Sequence, residues 1–469
     1  MSIHPLWIDG VAQAGDASDP VIDPATEAVV GYAARASDAQ LDSAVDAARR
    51  AFPAWAADPA ARRDALRTAA AALREHADEV ATLITREQGR PLRFAHAEVA
   101  GAIAVLEHHA AFDAPPPQSL RDDDTRFARV ERRPLGVVAA IAPWNVPVVL
   151  LLLKVAPALH AGNTVVAKPS EHTPLSTLRV ASILGPAFPP GVLNVIAGPG
   201  STGARLAAHP QVRLVTFTGS VATGKRLYAS GADDVKRLTL ELGGNDAAIV
   251  LDDADPQAIA EPLFWGAFWN SGQVCFAIKR LYVHERVFEP LLAALVARAQ
   301  RTVVGPGLEP ASELGPLTTR EQFDRVQALV DHARARGARI HAGGVPLERA
   351  GFFYPPTLVT HVGSGDALVD EEQFGPVLPL IPFHDPEDAI AAANASRYGL
   401  GASVWSRSVD RALAVARRLE AGLVWVNQHG EILPGAPKGG HKWSGLGYEG
   451  GARGYDQFSE LQVVNVARG

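Results

Sequence analysis

The chain of 469 residues is poor in several things, and each shortage excludes something. Its only cysteine is Cys275. One thiol cannot build an intrachain disulfide framework or a cysteine-based zinc or iron–sulfur site, so no metal site is expected. A buried bystander or a reactive thiol remains, and the count alone favours the bystander. Positive charge is not in excess: Lys and Arg total 44 against 51 Asp and Glu, a formal net charge of −7. That balance lacks the basic surface of a nucleic-acid or anionic-membrane binder, so neither partner is expected. Lysine itself is scarce, 7 against 37 arginines. A chain that meets generic positive charge with arginine keeps lysine where a compact ammonium is needed, which draws attention to Lys154 and Lys168. Long apolar runs are missing too. Val146 to Leu153, closed by Lys154, is well short of the roughly 18 residues a membrane span requires. The opening MSIHPLWIDG has no basic stretch leading into an apolar one, so a cytoplasmic location is expected.

What is present is an ordinary globular composition, 47% apolar and 20% charged, with no fixed-period repeat. At roughly 150 residues per domain the length allows about three domains. Residues 38–110 carry Ala, Leu and Val at three- and four-residue spacings and read as helices, with Asp38 placed to cap the first. Pro115–Pro117 followed by Asp122–Asp124 reads as an exposed connector. After Pro134 short apolar runs alternate with helix-length segments: Val137–Ala142, Val148–His160, Thr164–Ala167, Pro174–Leu184, Val192–Ala197, Arg205–His209, Leu214–Phe217, Ala222–Ser230 and Leu238–Leu240. Apolar strands without polar alternation, separated by helices, predict a mostly parallel sheet covered on both faces. A second such series runs from Ala247 to about Val426, and Gln457–Val466 reads as an edge or exchanged strand. The fold class is α/β.

Five segments could carry chemistry. Gly198-Pro-Gly200-Ser-Thr-Gly203 fits G-x-G-x-x-G after a strand, yet no acidic residue follows before Asp233. The usual dinucleotide fingerprint wants one about 20 positions on, so a plain strand–turn–helix fits as well. Phe217-Thr218-Gly219-Ser220 ends a strand before a helix, where a hydroxyl and a helix N-terminus can hold a phosphate or simply cap the helix. Lys168-Pro169-Ser170-Glu171 closes another strand and reads equally as an exposed turn. Glu241, before Leu242-Gly243-Gly244, lies at a strand's carboxyl end, where open α/β sheets place ligands; a loop salt bridge is the alternative. Cys275 follows Trp269-Asn270-Ser271-Gly272-Gln273-Val274, a Gly-broken polar turn. Free cysteines usually sit buried in regular structure, so this position tilts the reading towards reactivity. None of the 15 histidines stands in a matching nucleophile signature.

Taken together these segments resemble the NAD(P)-dependent aldehyde dehydrogenase superfamily over nearly the whole chain. The resemblance runs from Trp7-Ile8-Asp9-Gly10 and Asp23-Pro24-Ala25-Thr26 through Glu87-Gln88-Gly89 and Pro143-Trp144-Asn145. It continues through the Lys168, Phe217, Glu241 and Gly272–Cys275 segments to Glu371-Glu372-Gln373-Phe374-Gly375-Pro376-Val377 and Gly439–Gly447. It implies a Rossmann-type cofactor domain (1–122 and 142–240), an α/β catalytic domain (241–427), and small β elements for oligomerisation (123–141 and 455–469). Residues 428–454 would return to the active-site region.

The resemblance also implies roles. Cys275 would add to the aldehyde carbonyl, with the Asn145 amide and the Cys275 backbone N–H as oxyanion hole. Hydride would pass to the nicotinamide, and Glu241 would activate the water that hydrolyses the resulting thioester. Lys154 and Glu449 match a proton relay. The matched cofactor positions are Ile141, Trp144, Lys168, Ser170, Glu171, Gly203, Phe217, Gly219, Ser220, Leu242, Glu372 and Phe374. Glu171 on the ribose 2′-hydroxyl would repel a 2′-phosphate, favouring NAD over NADP. The matched substrate positions Val146, Leu150, Leu153, Trp269 and Val274 carry no fixed charge, so an apolar or semi-polar aldehyde is expected.

The chain departs from the family pattern at Val146, where an aromatic is common, and at Asn245, where lysine is. Gly454-Tyr455 stands for Gly-Leu, and Lys438 puts a charge where Pro-Phe-Gly-Gly has its aromatic. Two other readings stay open: a relative that passes the thioester to coenzyme A, which Glu241 argues against, and a non-catalytic structural relative. Phe127–Arg132 and Gln457–Val466 match the strands through which the family forms dimers or tetramers. The ordered motifs turn Cys275 from a bystander into the expected nucleophile, and with no second thiol in the chain any alkylation or oxidative loss of activity should trace to that one sulfur.

Overall fold

Ser37, and not Asp38, caps the first helix. Its backbone is extended, its hydroxyl accepts from the Gln40 N–H at 3.2 Å, and the Gln40 side chain accepts from the Ser37 N–H at 3.2 Å. That reciprocal pair satisfies two of the free amides of the helix start. Asp38 is the first helical residue, with its charge at the positive end of the helix. The computed structural model describes residues 2–433 and 435–468. Four helices fill the expected region, Asp38–Ala57, Pro59–Glu75, Ala77–Gln88 and Leu92–Ala111. The carboxylate of Glu87, near the end of the third, accepts from the amides of Leu175 and Ser176 at 2.7 and 2.9 Å, so it caps the helix Leu175–Leu184 from outside. Burial pushes Glu87 up to about 7.

An eight-stranded sheet follows the alternating grammar. Its order is Gly445–Leu446, Arg237–Glu241, Val212–Thr218, Val137–Ile141, Thr164–Lys168, Leu193–Val195, Leu6–Ile8, Val11–Gln13. The five strands from Arg237–Glu241 to Leu193–Val195 are parallel, and the two ends of the sheet are closed by antiparallel pairs. Val137–Ile141 and Thr164–Lys168 are buried along their whole length, as strands covered on both faces must be. The chain lays strands outward on one side of Val137–Ile141, then crosses to build the other side from Val212–Thr218. The order therefore reverses between these two strands, and the crevice outside their carboxyl ends is where such sheets bind ligands.

A seven-stranded sheet comes second, ordered Arg339–Ala342, Thr357–Thr360, Val377–Phe383, Ile278–His284, Asp246–Val250, Gly401–Trp405, Leu423–Val426. All its pairs are parallel except the first. A third, antiparallel sheet joins Ser459–Ala467, Arg126–Pro134 and Gln118–Asp122. Two small sheets complete the fold, one of Ile3–His4, Val29–Arg35 and Ala17–Ile22, the other of Tyr398–Gly399 and His441–Lys442.

Two expectations change here. Gln118–Asp122, read as connector, is a strand; all five residues are exposed, and backbone pairing with Arg126–Pro134 carries no apolar signature. Val137–Ile141, grouped by the 123–141 boundary with the outlying strands, sits in the middle of the cofactor-type sheet, because its apolar residues need cover on both faces. Among the described residues no helix is long and apolar enough to cross a membrane.

Replacing Ser37 with alanine should cost about 1 kcal/mol in urea unfolding, whereas Asp38→Ala should cost only a few tenths. Equal losses would return the cap to Asp38.

Candidate active site

The carboxyl ends of Val137–Ile141 and Val212–Thr218 open directly into the site. Beyond the first, the chain runs through Pro143, Trp144 and Asn145 into the helix Pro147–His160. Beyond the second, Ser220 caps the helix Val221–Ser230, accepting from the Thr223 N–H at 3.2 Å. A cleft of about 470 Å³ starts here and is closed from the other side by the seven-stranded unit. It brings together Trp144, Asn145, Gly219, Ser220, Leu242, Cys275, Glu372 and Phe374. Sequence reasoning did not single out His172, Thr319, Gln322, Arg325 or Tyr398, which line it as well. Trp144 and Phe374 meet edge to face at 5.3 Å across the gap.

Cys275 is held by a strained turn. Asn270, Ser271 and Gly272 adopt left-handed backbone with φ of 53°, 55° and 73°, a conformation costing about 1–2 kcal/mol for a residue with a Cβ. Surrounding contacts hold it in place. A Cβ on Gly272 would collide with the Gly375 carbonyl oxygen, so the turn packs backbone to backbone on the segment bearing Glu372 and Phe374. Lys279 Nζ donates to the Val274 and Cys275 carbonyls at 2.8 and 2.7 Å and stands 3.6 Å from Glu372. The Asn145 amide donates to the Gln273 carbonyl at 2.8 Å, which uses one of its two hydrogens.

A buried polar network fixes Asn145 from behind. Arg90 and Asn270 both donate to its carbonyl, Asn270 at 3.1 Å. Gln88 binds Arg90 Nε at 2.8 Å and Asn270 at 3.1 Å. Arg90 forms a 2.8 Å ion pair with Glu98 at 0% and 1% side-chain exposure. The other Glu98 oxygen accepts from Val148 and Val149 at the start of the helix that follows Asn145.

Glu241 ends its strand 5% exposed, and its Oε1 is buried with no hydrogen-bond partner. It is therefore no loop salt bridge. Burial pushes its carboxyl up to about 8, against the charges of Lys438 and Lys154. Behind it Lys154, from the helix Pro147–His160, donates to Glu449 Oε1, while Lys438 Nζ stands 2.9 Å from Glu449 Oε2. Burial pushes the Cys275 thiol up to about 11; Lys438 and Lys279 oppose this, and Glu372 and Glu241 add to it. Lys438, noted in the sequence only as a lost aromatic, is a largely buried cation paired with Glu449.

The donor set fits a dinucleotide. Lys168 is 3% exposed and pairs with Glu171 at 3.2 Å, so this is no exposed turn. Beside that pair the Gly200–Ala208 helix brings Gly203 against the Lys168 stem, where an added Cβ would sit 3.5 Å from Cδ. Ile141, Lys168 and Phe217 occupy neighbouring register positions at the carboxyl edge of the sheet, with Ser170 just beyond. Glu372 accepts from the Gly244 N–H at 3.0 Å, and a Cβ on Gly243 would strike its carboxylate, which accounts for the glycine.

The expected substrate positions lie outside this cleft. Val146, Leu150 and Leu153 are partly exposed on one side of the helix that carries buried Lys154. Trp269 meets Phe94 at 6.0 Å and the Arg90 guanidinium at 5.7 Å, and Val274 is buried beside Cys275. Gln88 and Asn270 stood inside quoted motifs but without an assigned role; Arg90 and Glu98 had no sequence signal, since they act on Asn145, Val148 and Val149 far along the chain. Lys279 and Lys438 did have one: the scarcity argument that marked Lys154 and Lys168 applies equally to them.

A parallel sheet with a helix N-terminus at its switch point, opening onto a thiol from a second α/β unit, can hold a nucleotide in its crevice beside that thiol. The sequence pattern of the Aldehyde dehydrogenase family matches residues 11–464. Human aldehyde dehydrogenase 1A1 is 37% identical over 474 residues, covering 99% of this chain and 94% of the relative. Betaine aldehyde dehydrogenase 1 of Rhizobium meliloti is 38% identical, covering 99% and 97%. The NAD+ complex of aldehyde dehydrogenase from Bacillus cereus superposes with a TM-score of 0.97 at 35% identity, over 99% of this chain and 97% of that one. The chain belongs to the aldehyde dehydrogenase family, whose members are NAD(P)-dependent oxidoreductases acting on aldehydes.

Glu98→Ala should leave Arg90 buried without its counter-charge and cost about 3–5 kcal/mol in chemical unfolding. It should also lower kcat by loosening Asn145. Wild-type stability would show the pair to be dispensable.

Proposed function

We propose that this enzyme oxidises an uncharged apolar or semi-polar aldehyde to its carboxylic acid with NAD, through a thiohemiacetal and a thioester on Cys275. The observation that carries the reading is the unpartnered Oε1 of buried Glu241, in the same electrostatic cluster as the lone thiol. The Cys275 sulfur adds to the carbonyl carbon. The free hydrogen of the Asn145 amide and the Cys275 N–H stabilise the oxyanion as it develops, each such donor supplying roughly 10²–10³ in rate. When bound, NAD supplies the hydride acceptor. Glu241 Oε1 takes a proton from the water that attacks the thioester, which distinguishes hydrolysis from transfer to coenzyme A. Lys154 and Glu449 carry that proton onward.

For the cofactor, Lys168 and Glu171 hold the adenosine ribose, and the carboxylate disfavours a 2′-phosphate. Gly219 and Ser220 meet the pyrophosphate at the helix N-terminus. Glu372 binds the second ribose, with Phe374 against the ring. Ile141, Trp144, Ser170, Gly203, Phe217 and Leu242 shape the channel. For the substrate, Val146, Leu150, Leu153, Trp269 and Val274 form an apolar wall.

The sheet built from Ser459–Ala467 has Leu461, Val463 and Val466 exposed at 66%, 53% and 43%. Such a surface suits strand-mediated assembly into a homodimer or homotetramer.

An aldehyde panel varied in chain length and charge, run with NAD and with NADP, tests the substrate and cofactor. Neutral aldehydes with NAD should give the highest kcat/KM; a preference for a dicarboxylic semialdehyde or for NADP overturns the proposal. Glu241→Gln should retain the first burst of NADH and accumulate an acyl-enzyme detectable by mass spectrometry. Because the base must be ionised, wild-type deacylation should rise with pH through a midpoint near 8. Loss of the burst itself would move Glu241 to an earlier step.

A further inference from the structure

Four consecutive carbonyls around the thiol are each bound by a side chain from outside the turn. The Gln273 carbonyl accepts from the Asn145 amide at 2.8 Å, and the Phe276 carbonyl from His429 Nε2 at 2.6 Å. Between them the Val274 and Cys275 carbonyls share Lys279 Nζ, at 2.8 and 2.7 Å. Lys279 is the second residue of Ile278–His284, the central strand of the seven-stranded sheet, and is 2% exposed. A rigid element thus carries the ammonium, and its two hydrogen bonds reach back to the loop just before that strand. One side chain holds both peptide groups that flank the Cys275 Cα.

Those two bonds fix the direction of the Cys275 N–H. The Val274–Cys275 peptide is trans, and in a trans peptide the C=O and N–H point opposite ways. With the Val274 carbonyl turned to Lys279, the Cys275 N–H is turned away from it. The same carbonyl accepts from the Ala277 N–H at 3.1 Å, which closes a β-turn with Cys275 and Phe276 at its centre. The two commonest forms of such a turn differ by a flip of the central peptide, here the one bearing the Cys275 carbonyl. Lys279 holds that carbonyl too. Without the ammonium the first peptide would keep only the turn bond, and the second would lose this anchor. Fixing both planes sets φ and ψ of Cys275, so its N–H and its Cβ keep one relative orientation.

We propose that Lys279 is a positioning residue that locks the Val274–Ala277 turn, so that the Cys275 N–H stays aimed at the oxyanion formed when its own sulfur attacks. The inference rests on reading Cys275 as nucleophile and its N–H as one of the two oxyanion donors. The ammonium exchanges no proton with the substrate. It keeps a donor's direction fixed before charge develops, which is how preorganised donors lower a barrier.

The test compares two reactions of one sulfur, both run without cofactor. Acetylation by p-nitrophenyl acetate passes through a tetrahedral oxyanion before p-nitrophenolate leaves; alkylation by iodoacetamide displaces iodide and forms no such anion. Both need the thiolate, so at a single pH the ratio of their rates cancels any change in thiol ionisation and reports the oxyanion donors. With no other cysteine in the chain, adducts mapped to Cys275 by mass spectrometry count that sulfur alone. Lys279→Met should lower the acetylation-to-alkylation ratio at least about tenfold, part of the roughly 10²–10³ that a lost donor costs. Lys279→Gln, whose shorter amide can still donate to one carbonyl, should lower it less. A ratio unchanged in Lys279→Met, with both rates slowed equally or untouched, overturns the proposal. Should Lys279→Met fail to fold, Lys279→Gln decides: a lowered ratio supports the proposal and an unchanged one overturns it. If wild-type Cys275 takes up no acetyl group, it is the reading of Cys275 as nucleophile that fails, and the proposal falls with it.

Discussion

A carboxylate removed from water without a partner costs several kcal/mol unless it takes up a proton, and Glu241 is such a group. Cys275 shares its predicament, since burial disfavours the thiolate that a nucleophile needs. In the proposed mechanism both must be dry enough to protect a thioester and charged enough to react. Cations oppose the effect of burial on both groups without outweighing it, and no hydrogen bond reaches Glu241 Oε1. Lys154 and Lys438 stand behind Glu241, and Lys279 stands behind the Cys275 carbonyl. A direct hydrogen bond would hold the anion but occupy the lone pair that must accept a proton; a charge one group further away leaves that lone pair free.

Backbone geometry serves the same end. The left-handed run from Asn270 to Gly272 turns the chain so that Cys275 faces the first sheet, and its strain is held by the Gly375 contact and by Gln88, Asn145 and Gln273 around Asn270. Gly243 lies hard against Glu372, so the turn after Glu241 and the segment before Val377 are fitted to each other. Displacing either would move Glu241 and Glu372 together. Arg90 extends this coupling into the helical layer: one side chain joins the Asn145 carbonyl to Glu98 and hence to the first amides of the next helix.

Much of this is legible in the sequence, for physical reasons. Strands buried on both faces are apolar throughout, so Val137–Ile141 and Thr164–Lys168 announce themselves. Gly272, Gly243 and Cys275 stand out because close approach and reactivity leave few residue types to choose from. Gln118–Asp122 does not, because an exposed edge strand is held by backbone pairing that side chains do not record. Asp38 reads as the cap because acid and hydroxyl serve at neighbouring positions, and only the backbone angles separate them. The network of Gln88, Arg90 and Glu98 is harder to read: Gln88 stands in a motif without a stated role, and Arg90 and Glu98 are ordinary helix-region polar residues until the fold places them behind Asn145.

Lys438 shows how local pairing turns a sequence oddity into electrostatics. The strand Gly445–Leu446 adds to the edge of the first sheet with Gly445 opposite Glu241, and the Leu242 N–H donates to the Ser444 carbonyl at 2.9 Å. That register fixes the returning segment relative to the general base. The bridge between Lys438 and Glu449 then fixes the ammonium relative to the segment. Once those pairings form, a cation at position 438 joins the Lys154–Glu449 pair, which an aromatic there would leave neutral. The charge of this buried cluster is therefore set by strand register near the end of the chain, where one side chain decides whether the Lys154–Glu449 pair is neutral or carries an extra cation.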